Sequence, residues 1–407
     1  MNSIQIRLLG AVAAALAMVV LLGGIAIPAQ AENETVLYNF ARTPDGAYPY
    51  AGPLLKGTSL YGTAANGGDA SDDGVVYAIS TTTGKETILH TFGGHVNGDG
   101  SLPYGGLASY GGSFYGMTLN GGQYNYGTIY KLTKSGKNYV ETVLHSFSCT
   151  DGCNPTYVTP VFDKAGNLYG TTFYGGYYGN GTVFKMAPNG TVTTLYSFHG
   201  GSGSGYDGYN PNTGVALDTK GNIYGSAPIG GLYNNGTLYE ITASGVYSIL
   251  YNFTGGADGW TPRSPLVYKG GKLYGTAQAG GAGCSWGCGV VFQYTLAKGK
   301  NPGKYAVIYT FAGVPDGQSP MYGALVFDKL GNIYGTTAAG GSFPGGTNLG
   351  TVYKLAKDGT LTILCNFDLT DGYQPEGNVA IDTKGNIYTT AVFGGQYTFG
   401  TMVKITP

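Results

Sequence analysis

Seven copies of the motif Asp-Gly-x-x-Pro form the most regular chemically capable feature of this 407-residue chain. Seven equivalent aspartates could form a ring that binds calcium through oxygen ligands or contacts sugar hydroxyls. The structural alternative is a turn: Asp accepts a backbone N–H two residues on, Gly takes a positive φ and Pro opens a strand. Identical placement in every copy favours the turn, because an acid–base pair needs carboxylates in different environments. The aspartates are Asp45, Asp99, Asp151, Asp207, Asp258, Asp316 and Asp371.

Residues that break the sevenfold pattern are better candidates for a ligand-binding site. The fifth copy, DGWTPR, contains Trp260 and Arg263, and the other tryptophan of the chain is Trp286. Aromatic rings beside Asp258 suit sugar rings. Segments that follow Gly-Gly pairs add Tyr-rich contact area at a low entropic cost. Their tyrosines are Tyr124, Tyr126, Tyr177, Tyr178, Tyr233 and Tyr397. The structural alternative for all these aromatic residues is packing within or between the repeats.

Signals for metal binding or catalysis are weaker. Asp69, Asp72 and Asp73 crowd one loop, GGDASDDG, which is a weak calcium candidate beside the alternative of a solvated acidic loop. We expect no other cofactor. His90 and His145 occupy a position that is Tyr in other repeats and are interpreted as structural. No hydrolase, metalloprotease or phosphate-binding motif is present.

The five cysteines predict two small disulfide-closed loops. Cys149 and Cys153 flank one three-residue segment, and Cys284 and Cys288 flank another. Metal binding is the alternative, but no His or further Cys is near enough in sequence to complete a tetrahedral site. Cys365 is predicted to be a buried thiol.

The first 31 residues have the features of a signal peptide. Arg7 precedes a long apolar run that ends in Ala-Gln-Ala, which predicts cleavage after Ala31; an uncleaved anchor is the alternative. Without Arg7 the chain has 20 basic and 22 acidic residues, which argues against a nucleic-acid partner. We expect a secreted or periplasmic monomer with no membrane span after cleavage.

Internal repetition indicates the fold. Each repeat contains four short strand-like segments joined by tight turns, and no segment has a convincing helical period. Four antiparallel strands at a period of about 54 residues are typical of a propeller blade. We therefore predict an all-β chain that forms a single seven-bladed β-propeller over residues 32–407. The repeats are centred on Tyr61, Tyr115, Tyr169, Tyr224, Tyr274, Tyr334 and Tyr388.

The two ends of the chain predict how the ring closes. The last repeat stops after its third strand, whereas the first segment after the leader, Thr35–Phe40, looks like a fourth strand without the other three. The N-terminal strand is thus expected to complete the seventh blade. Closure also removes sheet edges that would otherwise invite aggregation.

The repeat units resemble a known family. The stretches NLYGTTFYGGYYGNGTVFKM and NIYGTTAAGGSFPGGTNLGTVYKL, with DGxxP between them, resemble the GloVer tandem repeat of exported bacterial proteins over residues 35–407. The resemblance implies a propeller-like architecture and no established activity. The resemblance also implies C-terminal surface anchors of varied type, but the segment that ends at Pro407 has no recognisable signal of this kind, so we do not expect attachment through such a tail.

These features lead to a preferred function with two alternatives. We label the four strands of each predicted blade A to D in chain order. In a propeller, the connections between strands D and A and between strands B and C lie on one face, where ligands usually bind. We expect an exported, non-catalytic module that binds a glycan or a cell-surface protein there. The alternatives are a polysaccharide hydrolase or lyase that uses aspartates at the channel mouth, and a structural or adhesion protein.

Overall fold

The computed structural model of the protein describes residues 34–203, 206–285, 287–342 and 349–406. Within these residues the chain forms seven four-stranded antiparallel sheets, as the repeats predict. The predicted signal peptide and Trp286 lie outside the described residues. In the described part of the chain, no helix is long and apolar enough to cross a membrane.

Each blade contains strands A to D, from the channel outward. In blades 1 to 3 these strands are Leu54–Lys56, Ser59–Ala64, Val75–Ser80 and Glu86–Thr91; Ala108–Tyr110, Ser113–Thr118, Thr128–Ser135 and Asn138–Ser146; Val161–Phe162, Leu168–Thr172, Thr182–Met186 and Val192–Ser197. In blades 4 to 6 they are Ala216–Leu217, Ile223–Ala227, Thr237–Ile241 and Tyr247–Asn252; Val267–Lys269, Lys272–Ala277, Val290–Thr295 and Lys304–Thr310; Val326–Phe327, Ile333–Thr337, Thr351–Leu355 and Leu361–Asn366. A 3₁₀-helix spans His95–Asn97.

Blade 7 confirms the predicted closure. Its first three strands are Ala380–Ile381, Ile387–Ala391 and Thr401–Ile405, and its outer strand is the N-terminal segment Glu34–Asn39. The two ends of the described chain pair antiparallel, with Val36 opposite Val403. The ring therefore has no unpaired edge at the junction.

The core lies between blades. Seven clusters of buried side chains each join two neighbouring blades, and one of them joins blade 7 to blade 1. In that cluster Phe40 of strand D packs on Tyr77, which lies on strand C of the next blade, with ring centroids 5.0 Å apart. Gly62 on strand B leaves room for the Tyr77 ring, because a Cβ there would overlap the hydroxyl. This size match explains why Gly follows the central Tyr of the repeats on strand B, as Gly62 follows Tyr61.

Blade 7 shows the same size match in reverse. Thr389 stands where the other strands B have Gly, and Val403 stands where the other strands C have Tyr or Phe. Both residues are buried. A larger side chain on strand B thus accompanies a smaller one on strand C, so the inter-blade volume is conserved.

The cysteine predictions are confirmed. Disulfides join Cys149 to Cys153 and Cys284 to Cys288, each within one loop. Cys365 is a free, buried thiol on strand D of blade 6. Such disulfides are typical of oxidising compartments.

The D–A connections and the B–C loops lie together on one face, which we call the loop face. In blades 1, 2 and 4 they pair as two-residue ladders: Gly46–Ala47 with Asn66–Gly67, Gly100–Ser101 with Asn120–Gly121, and Gly208–Tyr209 with Ile229–Gly230. In blades 3, 5, 6 and 7 the corresponding contact is a single bridge, as between Trp260 and Ala279. This pairing fixes where each DGxxP segment enters the centre of the ring.

Candidate functional site

Each DGxxP aspartate closes the loop that precedes it. Asp207 accepts hydrogen bonds from the backbone N–H groups of His199 and Gly200, at 3.1 and 3.0 Å, and from the Tyr196 hydroxyl at 2.6 Å. All seven aspartates accept at least one upstream backbone N–H, rather than the N–H two residues on. The seven carboxylates are therefore built into seven separate loops, with hydrogen bonds that differ from those of the predicted turn.

One strand D position supplies a side-chain donor to these aspartates. Tyr occupies it in four blades, and His90 and His145 replace Tyr in blades 1 and 2, where they contact Asp99 and Asp151 at 3.0 and 2.7 Å. The structural interpretation of these two histidines agrees with this geometry.

Blade 6 is the exception, because Cys365 occupies the donor position. Its thiol donates to Glu34 at 2.7 Å, and Asp371 keeps one buried oxygen without a partner among the described residues. Burial and the neighbouring Glu34 raise the pKa of the Asp371 carboxyl.

The glycine of the motif takes a positive φ in only four copies: Gly152, Gly259, Gly317 and Gly372. The residue before Pro does so in all seven, with φ from 55° to 58°. Left-handed backbone at a residue with a side chain costs about 1–2 kcal/mol. The motif thus contains a sharp, strained bend that delivers the residues after Pro to the ring axis.

The residues that follow the motif differ from blade to blade. The position directly after Pro holds Tyr50, Tyr104, Thr156, Asn212, Arg263, Met321 and Glu376 in blades 1 to 7. The next position holds Tyr157 in blade 3 and Tyr322 in blade 6. The regular motif therefore presents an irregular set of side chains at the loop-face end of the channel. We call Tyr50, Tyr104, Tyr157, Arg263, Tyr322 and Glu376 the axial site.

The axial tyrosines pack against one another. Tyr157 and Tyr322, from blades 3 and 6, stack with ring centroids 3.7 Å apart and an interplanar angle of 9°. Tyr50 contacts Tyr104 and Tyr157, with centroid distances of 4.7 and 5.7 Å. Tyr157 and Tyr322 have φ values of 53° and 58°. Strain of this kind concentrates at functional sites, where the surrounding structure holds it.

A cavity of 290 Å³ lies at this aromatic cluster. The four tyrosines of the axial site line it together with residues in or next to strands A, such as Leu54, Val161 and Leu266. Its wall is thus largely apolar, with the phenolic hydroxyls as polar groups. That composition is typical of small-molecule sites.

Glu376 and Arg263 give the axial site its charge. Glu376 is 7% exposed, and one of its carboxylate oxygens has no hydrogen-bond partner among the described residues. Burial raises the pKa of Glu376 to about 7, although the nearby Arg263 opposes the shift. Arg263 donates to the Tyr322 hydroxyl at 3.0 Å, and its buried Nε has no partner in the described structure. A buried carboxyl that titrates near neutrality beside an arginine can bind polar ligands or transfer a proton.

The predicted residues of DGWTPR separate in space. Arg263 points to the axial site, whereas Trp260 is half-buried beside its own B–C loop and bridges Ala279. Asp258 accepts hydrogen bonds from the Tyr251 hydroxyl at 2.9 Å and the Thr254 backbone at 2.8 Å. The three side chains therefore do not converge on one ligand.

The predicted tyrosines of the B–C loops are exposed. Tyr177 is 85% exposed, and Tyr124, Tyr126, Tyr178, Tyr233 and Tyr397 are between 43% and 52% exposed. Tyr174 and Tyr206, which sequence reasoning missed, are similarly exposed on the same face. Seven of these exposed tyrosines belong to the loops of the consecutive blades 2 to 4. We call this set the tyrosine arc; it consists of Tyr124, Tyr126, Tyr174, Tyr177, Tyr178, Tyr206 and Tyr233.

The acidic loop of blade 1 engages its carboxylates separately. Asp72 forms a bidentate ion pair with Arg42, with a shortest N–O distance of 2.6 Å, and also accepts the Gly67 N–H. Asp69 bonds Ser71, and Asp73 accepts the Ser101 hydroxyl. Calcium binding by this loop stays a hypothesis.

The axial site was only partly predictable. Arg263 was singled out because it departs from the motif, but Glu376 and the four tyrosines were not. The sequence contained one signal for these residues: when the seven repeats are aligned, the residue directly after Pro varies, whereas the DGxxP motif does not. Positive φ at Tyr157 and Tyr322 had no signal in the sequence, because it depends on packing across the channel.

The fold and site define a closed seven-bladed propeller with a varied polar and aromatic centre on its loop face. The family model described as the Gloeobacter/Verrucomicrobia repeat matches residues 25–216 and 202–403, and the chain belongs to this family. This confirms the resemblance drawn from the repeat units.

Solved structures share the fold at low sequence identity. An oligogalacturonate lyase from Vibrio parahaemolyticus is 12% identical, with 92% of this chain and 93% of that chain covered and a TM-score of 0.53. A putative 6-phosphogluconolactonase from Bacteroides uniformis is 14% identical, with 82% and 90% covered and a TM-score of 0.52. No curated protein matches the sequence. At these identities the similarity shows the fold alone.

Proposed function

We propose that this protein is an exported, non-catalytic module that binds a neutral glycan on its loop face. The observation that carries this proposal is the placement of aromatic side chains. Among the described residues nine tyrosines are exposed, and all except Tyr110 lie on the loop face. Seven of those eight belong to the tyrosine arc.

Exposed tyrosines suit sugars for a physical reason. The ring face covers the C–H face of a pyranose, while the phenolic hydroxyl bonds to its oxygens or to water. Holding a tyrosine in place costs little entropy, because it has two side-chain torsions. The stack of Tyr178 on His199, with centroids 3.7 Å apart, further orders one ring of the arc.

The aspartates support binding rather than catalysis. Each DGxxP carboxylate accepts a backbone hydrogen bond from its own loop, and both oxygens are engaged in every copy except Asp371, which keeps one oxygen without a partner among the described residues. Such groups are poor general bases, because a base must reach the proton that it removes.

One observation favours the enzyme alternative. Glu376 is a buried carboxyl with a free oxygen and a pKa near 7, the range suited to a general acid. The fold is shared with a protein described as an oligogalacturonate lyase. A polysaccharide-acting enzyme of this fold would thus use Glu376 at the axial site rather than the motif aspartates.

A glycan panel tests both functions. Residues 32–407 are incubated with neutral and acidic oligosaccharides, and both retention and product release are scored. We expect retention of a neutral glycan without cleavage. Tyr177→Ala with Tyr233→Ala should weaken Kd about tenfold or more, since 1.4 kcal/mol corresponds to a factor of ten. Tyr110→Ala on the opposite face is the control and should leave Kd unchanged.

The opposing outcomes are distinct. Cleavage abolished by Glu376→Gln would establish the enzyme and overturn the non-catalytic module. Neither retention nor cleavage, with binding to cells preserved, would favour the structural or adhesion alternative.

A further inference from the structure

The lysines of this protein occupy one face only. All 18 lie in the A–B and C–D turns or in strand segments that lead into or out of them, on the face opposite the loop face, which we call the lysine face. None lies in a D–A connection or a B–C loop. They are Lys56, Lys85, Lys131, Lys134, Lys137, Lys164, Lys185, Lys220, Lys269, Lys272, Lys298, Lys300, Lys304, Lys329, Lys354, Lys357, Lys384 and Lys404.

The net charge of −1 therefore conceals a strong polarity. The loop face carries 12 acidic residues against Arg42 and Arg263, a balance of 2 − 12 = −10. The rest of the described chain carries 18 lysines and 9 acidic residues, a balance of 18 − 9 = +9. The opposite charges of Arg7 and Glu32, which lie outside the described residues, cancel, so the two balances add up to the net charge of −1. A separation of this size produces a field that orients the molecule at a charged surface.

The lysine charges are not neutralised internally. Within the described residues the ion pairs are Arg42 with Asp72, His90 with Asp99 and His145 with Asp151, and no lysine takes part in one. Most of the ammonium groups are on exposed side chains at turn tips. Their attraction to an anionic partner is thus available for binding.

One groove on this face combines cations with an apolar floor. It lies between blades 5 and 6 and has a volume of 800 Å³, and its charged lining consists of Lys269, Lys272, Lys329 and Lys357 with one carboxylate, Asp358, a balance of 4 − 1 = +3. Phe327 forms part of the floor, with the Lys269 Nζ 4.0 Å from the ring centroid. Leu330 stands at the edge and is 72% exposed. Anionic lipids match both the cationic and the apolar part of the groove, through their headgroups and acyl chains. A polysaccharide or a nucleic acid would match the lysines but would leave the exposed leucine without an apolar partner.

We propose that the lysine face docks the protein onto an anionic lipid membrane surface, with the groove between blades 5 and 6 at the centre of the contact. Lysines beside an anionic leaflet attract it without bidentate recognition, and the two described arginines lie on the other face. Leu330 would enter the interfacial region beside the headgroups. This orientation leaves the loop face pointing away from the membrane. The proposal does not depend on the ligand of the loop face.

Vesicle co-sedimentation tests the proposal. Residues 32–407 are mixed with vesicles of phosphatidylcholine alone or with about a third phosphatidylglycerol. We expect binding to the anionic vesicles, little to the neutral ones, and a fall with added salt. Each lysine near an anionic surface contributes roughly fivefold to partitioning. The quadruple change of Lys269, Lys272, Lys329 and Lys357 to Gln should therefore lower partitioning at least about tenfold.

A charge-matched variant separates the groove from net charge. Glu at Gln123, Ala257, Val314 and Leu369 makes the same change of −4 at exposed positions of the loop face, and it should retain most of the binding. Thermal unfolding shows that both variants are folded. Equal binding to neutral vesicles, or equal loss in the two variants, would overturn the proposal. So would tight binding to polygalacturonate without binding to vesicles, because it would assign the face to an acidic polysaccharide.

Discussion

The two faces of the ring are built from the same repeat and carry opposite chemistry. The loop face has the DGxxP motifs, the exposed tyrosines and no lysine, whereas the lysine face has short Asp-initiated turns and all 18 lysines. The loop face uses an aspartate in every DGxxP segment, whereas the A–B turns of the lysine face begin with Asp only in blades 3, 4, 6 and 7, and the surroundings of the two kinds of aspartate differ. Asp207 on the loop face is 5% exposed, whereas Asp218 on the lysine face is only partly buried. The loop face is thus characterised by ordered loops that carry aromatic side chains, and the lysine face by its positive charge.

The hydrogen-bond partners of these two aspartates explain the difference. Asp207 joins parts of the chain 7 to 11 residues apart, including the Tyr196 hydroxyl. Asp218 closes its own turn, accepting the N–H groups of Lys220 and Asn222 at 2.8 and 2.9 Å, and reaches no farther than the Tyr224 hydroxyl, six residues on, at 3.1 Å. The first arrangement positions a long loop, while the second only terminates a hairpin.

Replacing these aspartates should give the largest contrast. Asp207→Ala leaves two backbone N–H groups and a tyrosine hydroxyl unpaired in a partly buried loop, and should cost about 4 kcal/mol of unfolding free energy. Asp218→Ala exposes its donors to water and should cost about 1 kcal/mol. Urea unfolding of both variants measures the difference. Equal costs would show that the loop face is no more tightly specified than the lysine face.

The pH dependence of stability should also differ between the faces. Burial raises the pKa of Glu376 to about 7, with Arg263 opposing, so its folded state binds a proton more tightly than its unfolded state. The associated stability is present below about pH 4.5 and is lost as pH rises to about 7. Over 2.5 pKa units this amounts to roughly 3 kcal/mol. Glu376→Gln should make the decline smaller by this amount, as measured by urea unfolding at pH 5 and pH 8. Burial also raises the pKa values of Glu86, Glu141 and Asp371, so these groups keep the rest of the decline.

A turn aspartate of the lysine face is the control with the opposite sign. Partial burial alone would raise the pKa of Asp382, but the hydrogen bonds from Asn386 outweigh it and lower the pKa. Its contribution is therefore present above the usual Asp pKa and is lost as pH falls through the lowered value. Asp382→Asn should leave the change between pH 5 and pH 8 as in the wild type. A flat profile already in the wild type would contradict the assignment of Glu376.

The architecture was predictable because local patterns repeat and agree. The four strand-like segments of each repeat predicted the blades, and the isolated segment at Thr35–Phe40 predicted closure, because the last repeat stops after its third strand. His90 was predictable as a structural residue because Tyr occupies the same position in four other repeats. Where one local feature sets the outcome, as with a buried Phe at the end of strand D, sequence reasoning succeeds.

The functional surfaces were harder to predict, because they depend on how one repeat differs from, or contacts, another. Glu376 differs from its counterparts only when the residues after Pro are compared, and the strained Tyr157 depends on a partner from the opposite side of the ring. Total charge excluded a polycation and concealed the lysine face. Once the strand order is known, the face of each lysine follows from its place in the repeat, so this part could have been predicted.

The smallest expected effect concerns the lysines themselves. Lys298, Lys300 and Lys304 are crowded in one exposed C–D connection without a paired carboxylate in the described structure. Changing all three to Gln should raise the unfolding free energy by no more than about 0.5 kcal/mol at low salt, because it relieves repulsion between solvated charges. The gain should vanish in molar salt, as followed by urea unfolding at two ionic strengths. A large loss of stability would mean that these lysines are structural, and a face of charges kept for binding would then be the wrong description of that side of the ring.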